Sequence, residues 1–181
     1  MKETIVYKLT DQDMRTYKGF QWELGKEYKT NGRGDLCSSG WLHVYSDPRL
    51  AIILNPIHAN IQNPRLFEAL AKGNGKHDNG LKSGYRFLTL TKELTLPIIS
   101  DLTKRAFAIL CAKEVYYEPT WNQWANDWLN GKDRSEESMY KAAAAYAADA
   151  ADAAAAYAAA ACRSKNINLV SILDKAMEIK E

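Results

Sequence analysis

Sixteen of the twenty-three residues from Lys141 to Arg163 are alanine, and the rest include Tyr146, Asp149, Asp152 and Tyr157. No other stretch limits the fold as much. Alanine has the best helix propensity and loses no side-chain entropy on ordering, so Ser135 to Arg163 reads as one long helix. Ser135 caps it, and Glu136 and Glu137 occupy the first turn, where the helix dipole favours negative charge. Eleven residues make almost three turns, which sets Tyr146 and Tyr157 within about 20° of each other. Most of the remaining circumference is methyl groups, so the helix serves to let neighbouring backbones approach closely. It carries no nucleophile with a base and no metal cage.

The rest of the C-terminal part is read around that rod. Trp121, Trp124 and Trp128 recur at i, i+3 and i+7 between Pro119 and Gly131. This helical stripe is expected to pack large into small against the alanine face rather than to form a stacking platform. Ser100 is expected to cap an earlier helix reaching about Glu118, with Leu102, Ala106, Ile109 and Leu110 on its apolar face. Asn168 caps a last helix with Leu169, Ile172, Leu173, Ala176 and Met177 inward. Upstream of Ser100 the hydrophobic period is nearer two than 3.6. Thr4–Leu9, Gly40–Tyr45, Arg65–Ala71, Tyr85–Leu90 and Glu93–Pro97 read as strands. Asp47 and Pro48 start a short helix that Asn55-Pro56 stops. Gly73 to Gly80 reads as an exposed loop. The expected class is α+β: a β-rich part over 1–99 that does the recognising, and a helical part over 100–181, a hairpin or small bundle built on the alanine helix.

Charge narrows the partners. Residues 1–100 hold fourteen Lys or Arg against ten Asp or Glu, and residues 101–181 hold ten against twelve. The surplus of +4 in the N-terminal part permits an anionic ligand but falls short of the basic footprint of a duplex binder. No apolar run outside the alanine tract is long enough to span a membrane. The start Met1-Lys2-Glu3-Thr4 lacks the apolar core of a signal peptide, so a cytoplasmic protein is expected. Cys37, Cys111 and Cys162 are expected as reduced thiols, and neither they nor His43, His58 and His77 have metal-ligand spacing. No cofactor is implied. Gly73-x-Gly75-Lys76 lacks the spacing and the Ser/Thr of a P-loop.

The candidate ligand site is an aromatic and basic group: Tyr7, Trp22, His43, Tyr45, Arg49, Lys82 and Arg86. Its centre is the strand carrying His43 and Tyr45, followed by a capped helix with Arg49. The sequence shows no nucleophile, base and orienter together, so no catalytic residue is assigned.

The block Tyr17-Lys18-Gly19-Phe20-Gln21-Trp22-Glu23-Leu24-Gly25-Lys26-Glu27-Tyr28, with Leu36-Cys37-Ser38-Ser39-Gly40-Trp41-Leu42-His43, resembles an uncharacterised bacteriophage protein family. Trp124-Ala125-Asn126-Asp127-Trp128-Leu129-Asn130-Gly131-Lys132-Asp133-Arg134-Ser135, leading into Ala/Tyr/Asp-rich sequence, resembles the same family. Tyr7-Lys8-Leu9-Thr10 and Gly40-Trp41-Leu42-His43-Val44-Tyr45-Ser46 are also similar to ADP-ribosyltransferase-like proteins, although the Arg or His usual in the first strand is absent. The first resemblance implies a non-enzymatic phage accessory protein. Such a protein would bind a host protein or a small anionic nucleotide signal in the host cytoplasm, as a sponge-like counter to host defence. The second implies an NAD-using transferase. A third reading is a structural module that self-associates into a homo-oligomer through its helical part.

Overall fold

In a computed structural model that describes residues 2–138 and 167–180, the run Thr4-Ile5-Val6-Tyr7 lies in strand β1 (Glu3–Thr10). β-Branched and aromatic side chains favour this pleated, half-buried setting. The chain divides into two compact units, Met1–Ile98 and Ile99–Glu181. The first holds the strands and one helix and the second holds the other described helices, an α+β protein built on antiparallel pairing.

In the first unit, β1 pairs antiparallel with β6 (Arg65–Lys72), from Glu3 opposite Lys72 to Thr10 opposite Arg65. On its other side β6 pairs with β9 (Phe87–Leu94), which pairs with the short edge strand β4 (Glu27–Lys29). A bulge between Glu68 and Ala69 shifts the β6–β9 register. A second sheet has the order β5 (Leu42–Val44), β8 (Ser83–Tyr85), β7 (Lys76–His77). The hairpin of β2 (Arg15–Thr16) and β3 (Phe20–Gln21) turns through the single 3₁₀ turn Tyr17–Gly19.

The two sheets are joined twice. Tyr7 and Tyr45 form a bridge in which each backbone N–H reaches the other's carbonyl, at 2.8 and 2.9 Å. Arg86 alone separates β8 from β9, so one bent stretch of chain serves both sheets. The path β1–β6–β9, round the bend to β8, across to β5 and back to β1 is therefore a closed circuit. Inside it lies a core of Val6, Phe67, Ala69, Ala71, Leu88 and Leu90 from one sheet against Leu42, Val44 and Tyr85 from the other. Trp22 also belongs to this core.

Helix α1 (Pro48–His58) packs against β1 and buries Leu50, Ala51, Ile53 and Leu54. Asp47 caps it and Pro48 fills the first turn, where no N–H is needed. The helix does not stop at Asn55-Pro56, however. Pro56 costs one backbone bond but sits in the last turn, and the Asn55 side chain ties the exit down, bonding Ile61 N at 3.0 Å and Ile61 O at 2.9 Å. Nor is the Gly73–Gly80 segment only loop, since Lys76 and His77 pair with β8.

In the second unit α2 (Asp101–Lys113) packs against both α3 (Pro119–Leu129) and α4 (Leu169–Met177). Ser100 caps α2 through the Thr103 N–H at 3.1 Å. The helix ends at Lys113, short of the expected Glu118. A residue before proline is driven out of the helical region, and Glu118 is extended at φ −65°, ψ 126°, where its carboxylate caps α3 through Thr120 N and Trp121 N. The α2 stripe also differs from expectation: Phe107 is fully buried, while Leu102 and Leu110 are half-buried.

Trp121 and Trp128 are buried with Ala125 between them, and Trp124 is half-buried with its indole N–H on Ser138 Oγ at 3.3 Å. The stripe is core, not a platform. The alanine-rich stretch with Tyr146 and Tyr157, Cys162 with it, lies outside the described residues. In α4, Leu169, Ile172, Leu173 and Ala176 are buried at i, i+3, i+4 and i+7, whereas Met177 falls beside that stripe and is 46% exposed.

Candidate functional site

Alternation along β1 puts Lys8 on the same face as Val6, toward the core of the closed circuit. A lysine there must find a partner for its charge. The ammonium donates to the His43 carbonyl at 2.8 Å and lies 5.3 Å from the centre of the Trp22 ring. No carboxylate reaches it among the described residues. Desolvation therefore dominates, and the Lys8 amine is pulled down to about 8.

Trp22 is fixed where it meets Lys8. Its indole N–H donates to Thr16 Oγ1 at 3.0 Å, and Phe20 and Tyr28 pack on it with ring centroids 4.9 Å away. Trp22 is only 2% exposed. Trp22, named among the ligand candidates, is thus placed as a core residue that fixes the surroundings of Lys8; its apolar area and bonded N–H account for that.

His43 lies between two lysines in electrostatic terms. Its side chain alternates with buried Leu42 and Val44, and its Nε2 bonds the Leu36 carbonyl. Burial lowers its proton affinity, the Leu36 bond acts the other way, and the positive charges of Lys8 and Lys82 lower it further. The segment that carries Leu36 lies directly on β8, where only a glycine fits: a Cβ on Gly84 would stand 2.7 Å from Leu36 Cδ1 and 2.8 Å from Trp41 Cβ. Like Lys8, the Lys82 side chain has no acidic partner among the described residues.

The other expected site residues go elsewhere. The Tyr7 side chain is half-buried; its backbone makes the bridge to Tyr45. Tyr45 is buried, with its hydroxyl 3.1 Å from His58 Nδ1 and its ring stacked on that imidazole, and burial pushes the phenol up. Arg49 grips Asp47 bidentately, at 3.0 Å from Nε and 2.8 Å from Nη2. Burial would raise Asp47, but the bonds from Arg49 outweigh it and hold the carboxyl low. Arg86 is exposed, its stem lies over Gly32, and its guanidinium is 5.5 Å from the Phe87 ring. Of the seven, only His43 and Lys82 come together as parts of one electrostatic group. Lys8 completes it. The sequence signal for Lys8 was its phase: a lysine two residues after Val6 on the inward side of a strand.

A second pair was hidden because β7 read as loop. His77 stands opposite Ser83 in the β7–β8 ladder, with Nδ1 2.8 Å from Ser83 Oγ. A hydroxyl beside an imidazole is the beginning of a nucleophile and base. The imidazole touches no carboxylate among the described residues, so the orienting member is missing, and the pair serves as a cross-strand contact.

Among the described residues no group of three His, Cys, Asp or Glu side chains could hold a metal ion, and no helix is long and apolar enough to cross a membrane. Cys37 is exposed and Cys111 buried, and neither is in a disulfide among the described residues.

The model of a domain of unknown function, DUF7666, matches residues 4–101, more than half of the 181 residues. The chain belongs to the DUF7666 family. The match takes in the closed circuit with Lys8, His43 and Lys82. No curated protein and no solved structure matches the chain.

Proposed function

We propose that the DUF7666 region is a binding module for a small anionic ligand of the nucleotide type, held where Lys8, His43 and Lys82 meet, and that it returns the ligand unchanged. One observation carries this reading: Lys8 and Lys82 both act on His43, and neither lysine has an acidic partner among the described residues. Unneutralised positive charge in partly desolvated surroundings costs free energy, and an arriving anion removes that cost. Lys8 and His43 both titrate below their ordinary values, so an anion drawing them toward their charged forms takes up protons as it binds. The wider role, a phage accessory protein that sequesters a host signal, follows from the family resemblance and belongs to this proposal.

Calorimetry against cyclic nucleotides and ADP-ribose-type compounds, in two buffers of different ionisation enthalpy, is the test. Binding with net proton uptake, and affinity that rises as the pH falls from 8 to 6, is expected. Silence across the panel, or binding unchanged in Lys8→Met and Lys82→Met, would overturn it. Release of nicotinamide from NAD would favour a transferase instead.

A further inference from the structure

Four of the ten glycines follow an asparagine: Gly32, Gly75, Gly80 and Gly131. In such a dipeptide the asparagine side chain is open to attack by its own backbone, because glycine leaves the next nitrogen unshielded and free to turn. The fold treats the four unequally. The Gly32 N–H is spent on the Gly40 carbonyl at 2.9 Å, and the Asn31 side-chain oxygen accepts from Arg33 N at 2.9 Å. The Gly131 N–H is spent on the Trp128 carbonyl at 3.0 Å, at the end of α3. Asn79 and Gly80, at φ 41° and 88°, are the central residues of the β7–β8 turn. That turn is closed by Leu81 N on the Asp78 carbonyl at 2.8 Å and by Asp78 N on the Lys82 carbonyl at 3.0 Å.

Asn74 and Gly75 lie between β6 and β7 and have none of these ties. Asn74 is exposed, and among the described residues neither its amide nor the Gly75 N–H has a hydrogen-bond partner. Sterics require glycine at 75, since a Cβ there would stand 2.8 Å from Cε1 and Cζ of the Tyr85 ring and 3.0 Å from His77 Cε1. The packing that admits only glycine therefore also sets an imidazole beside it. Ser83 Oγ holds that ring, 2.8 Å from Nδ1. In the tautomer whose Nδ1–H donates to Ser83, Nε2 carries the lone pair that can take a proton.

We infer that Asn74 is a site of self-modification, where the Gly75 nitrogen closes on the Asn74 side chain and converts it to aspartate and isoaspartate. Water is the only co-reactant. The Gly75 N–H gives its proton to His77 Nε2, directly or through one solvent molecule, and its electron pair attacks Asn74 Cγ to form a five-membered imide. The Cγ–Nδ2 bond breaks, and Nδ2 takes the proton back and leaves as ammonia. Water then opens the ring. Attack at Cγ gives aspartate, attack at the main-chain carbonyl gives isoaspartate, and no oxidation state changes. Either product adds a carboxylate two residues before Lys76. Isoaspartate also puts one more carbon into the main chain ahead of β7, a strand of two residues that cannot absorb it, so the Lys76–Gly84 and His77–Ser83 pairs give way.

The test uses the full chain, incubated at physiological temperature and mildly alkaline pH. Each asparagine is followed by peptide mass spectrometry, with fragmentation that separates aspartate from isoaspartate. Asn74 is expected to convert on the order of fivefold faster than Asn31 and Asn130, the factor set by one hydrogen bond that must first break, and to lead Asn79 as well. In urea, where those bonds are gone, the four rates are expected to converge. His77→Gln should slow Asn74 and leave the other three unchanged while circular dichroism stays native. Lys76 and His77 should exchange their amide hydrogens faster in aged protein than in fresh. If Asn31, Asn79 or Asn130 converts as fast as Asn74 in the folded chain, or if Asn74 leads by the same margin in urea, the inference is wrong.

Discussion

The two ends of the four-stranded sheet each carry a lysine, under opposite conditions. Lys72 ends β6 opposite Glu3, and its ammonium meets Glu27 of β4 at 2.7 Å. Glu27, and more weakly Glu3, hold that amine above its ordinary value. At the other end Lys8 turns inward, meets a carbonyl and an indole, and falls to about 8. Sheet and residue type are shared and the strands are neighbours, so the contrast turns on two variables: the face the side chain takes and the presence of a carboxylate. An exposed, paired lysine contributes little and demands nothing. The inward one is a standing cost, and such costs persist most readily where they are used.

The most severe way to break this contrast is to remove the indole. Trp22→Ala should cost about 3–5 kcal/mol of stability, as deletion of a buried aromatic does, read by urea unfolding. In whatever folds, Lys8 should titrate closer to an ordinary lysine by carbon-13 NMR of its side chain. Next is the lysine itself. Its folded value lies below its unfolded one, so it penalises the fold in full below pH 8, and the penalty fades as pH rises from 8 to about 10.5. Lys8→Met should therefore exceed wild type in stability by about 1–3 kcal/mol at pH 7, with the gap closing by pH 10. A gap that is constant over that range would mean Lys8 titrates normally.

A smaller effect tests compensation away from the sheet. Asp47→Ala removes the cap of α1 and leaves Arg49 without its bidentate partner, and should cost about 1 kcal/mol. Because Asp47 is held below its ordinary value, that contribution is present at neutral pH and is lost as the pH falls through the carboxylate range. The smallest effect should be Lys72→Met, with an unfolding midpoint that does not move at 0.15 M salt; a clear loss there would mean that exposed pairing matters as much as burial.

Local signals account for what the sequence made legible. Asp47-Pro48, Ser100 and Asn168 announced three helix starts because a cap is written in one or two residues. β1 is legible as a β-prone run, β5 from its alternation, and β6 from its turn-rich flanks and the Gly73 that follows it, since Arg65–Ala71 alone fits strand or helix. What was missed is a strand too short to show an alternation: the two residues Lys76 and His77, and through their pairing the contact of His77 with Ser83. The site shows the same split. His43 and Lys82 were legible as a basic and aromatic neighbourhood, but Lys8 becomes conspicuous only once Trp22 is seen to close over it. Trp22, Tyr45 and Arg49 were candidates by residue type, and their partners Thr16, His58 and Asp47 absorb them into structure.

The closed circuit has a consequence for synthesis. Glu3 cannot meet Lys72 until the ribosome has made the sixty-eight residues between them, and β9 must follow before β6 is flanked on both sides. Pairings this distant in sequence fold slowly. For that interval β1 is an unpaired edge open to other nascent chains. Lys2, Glu3 and Lys8 keep that edge charged meanwhile, so the same amine that burdens the finished fold protects it while it is being made.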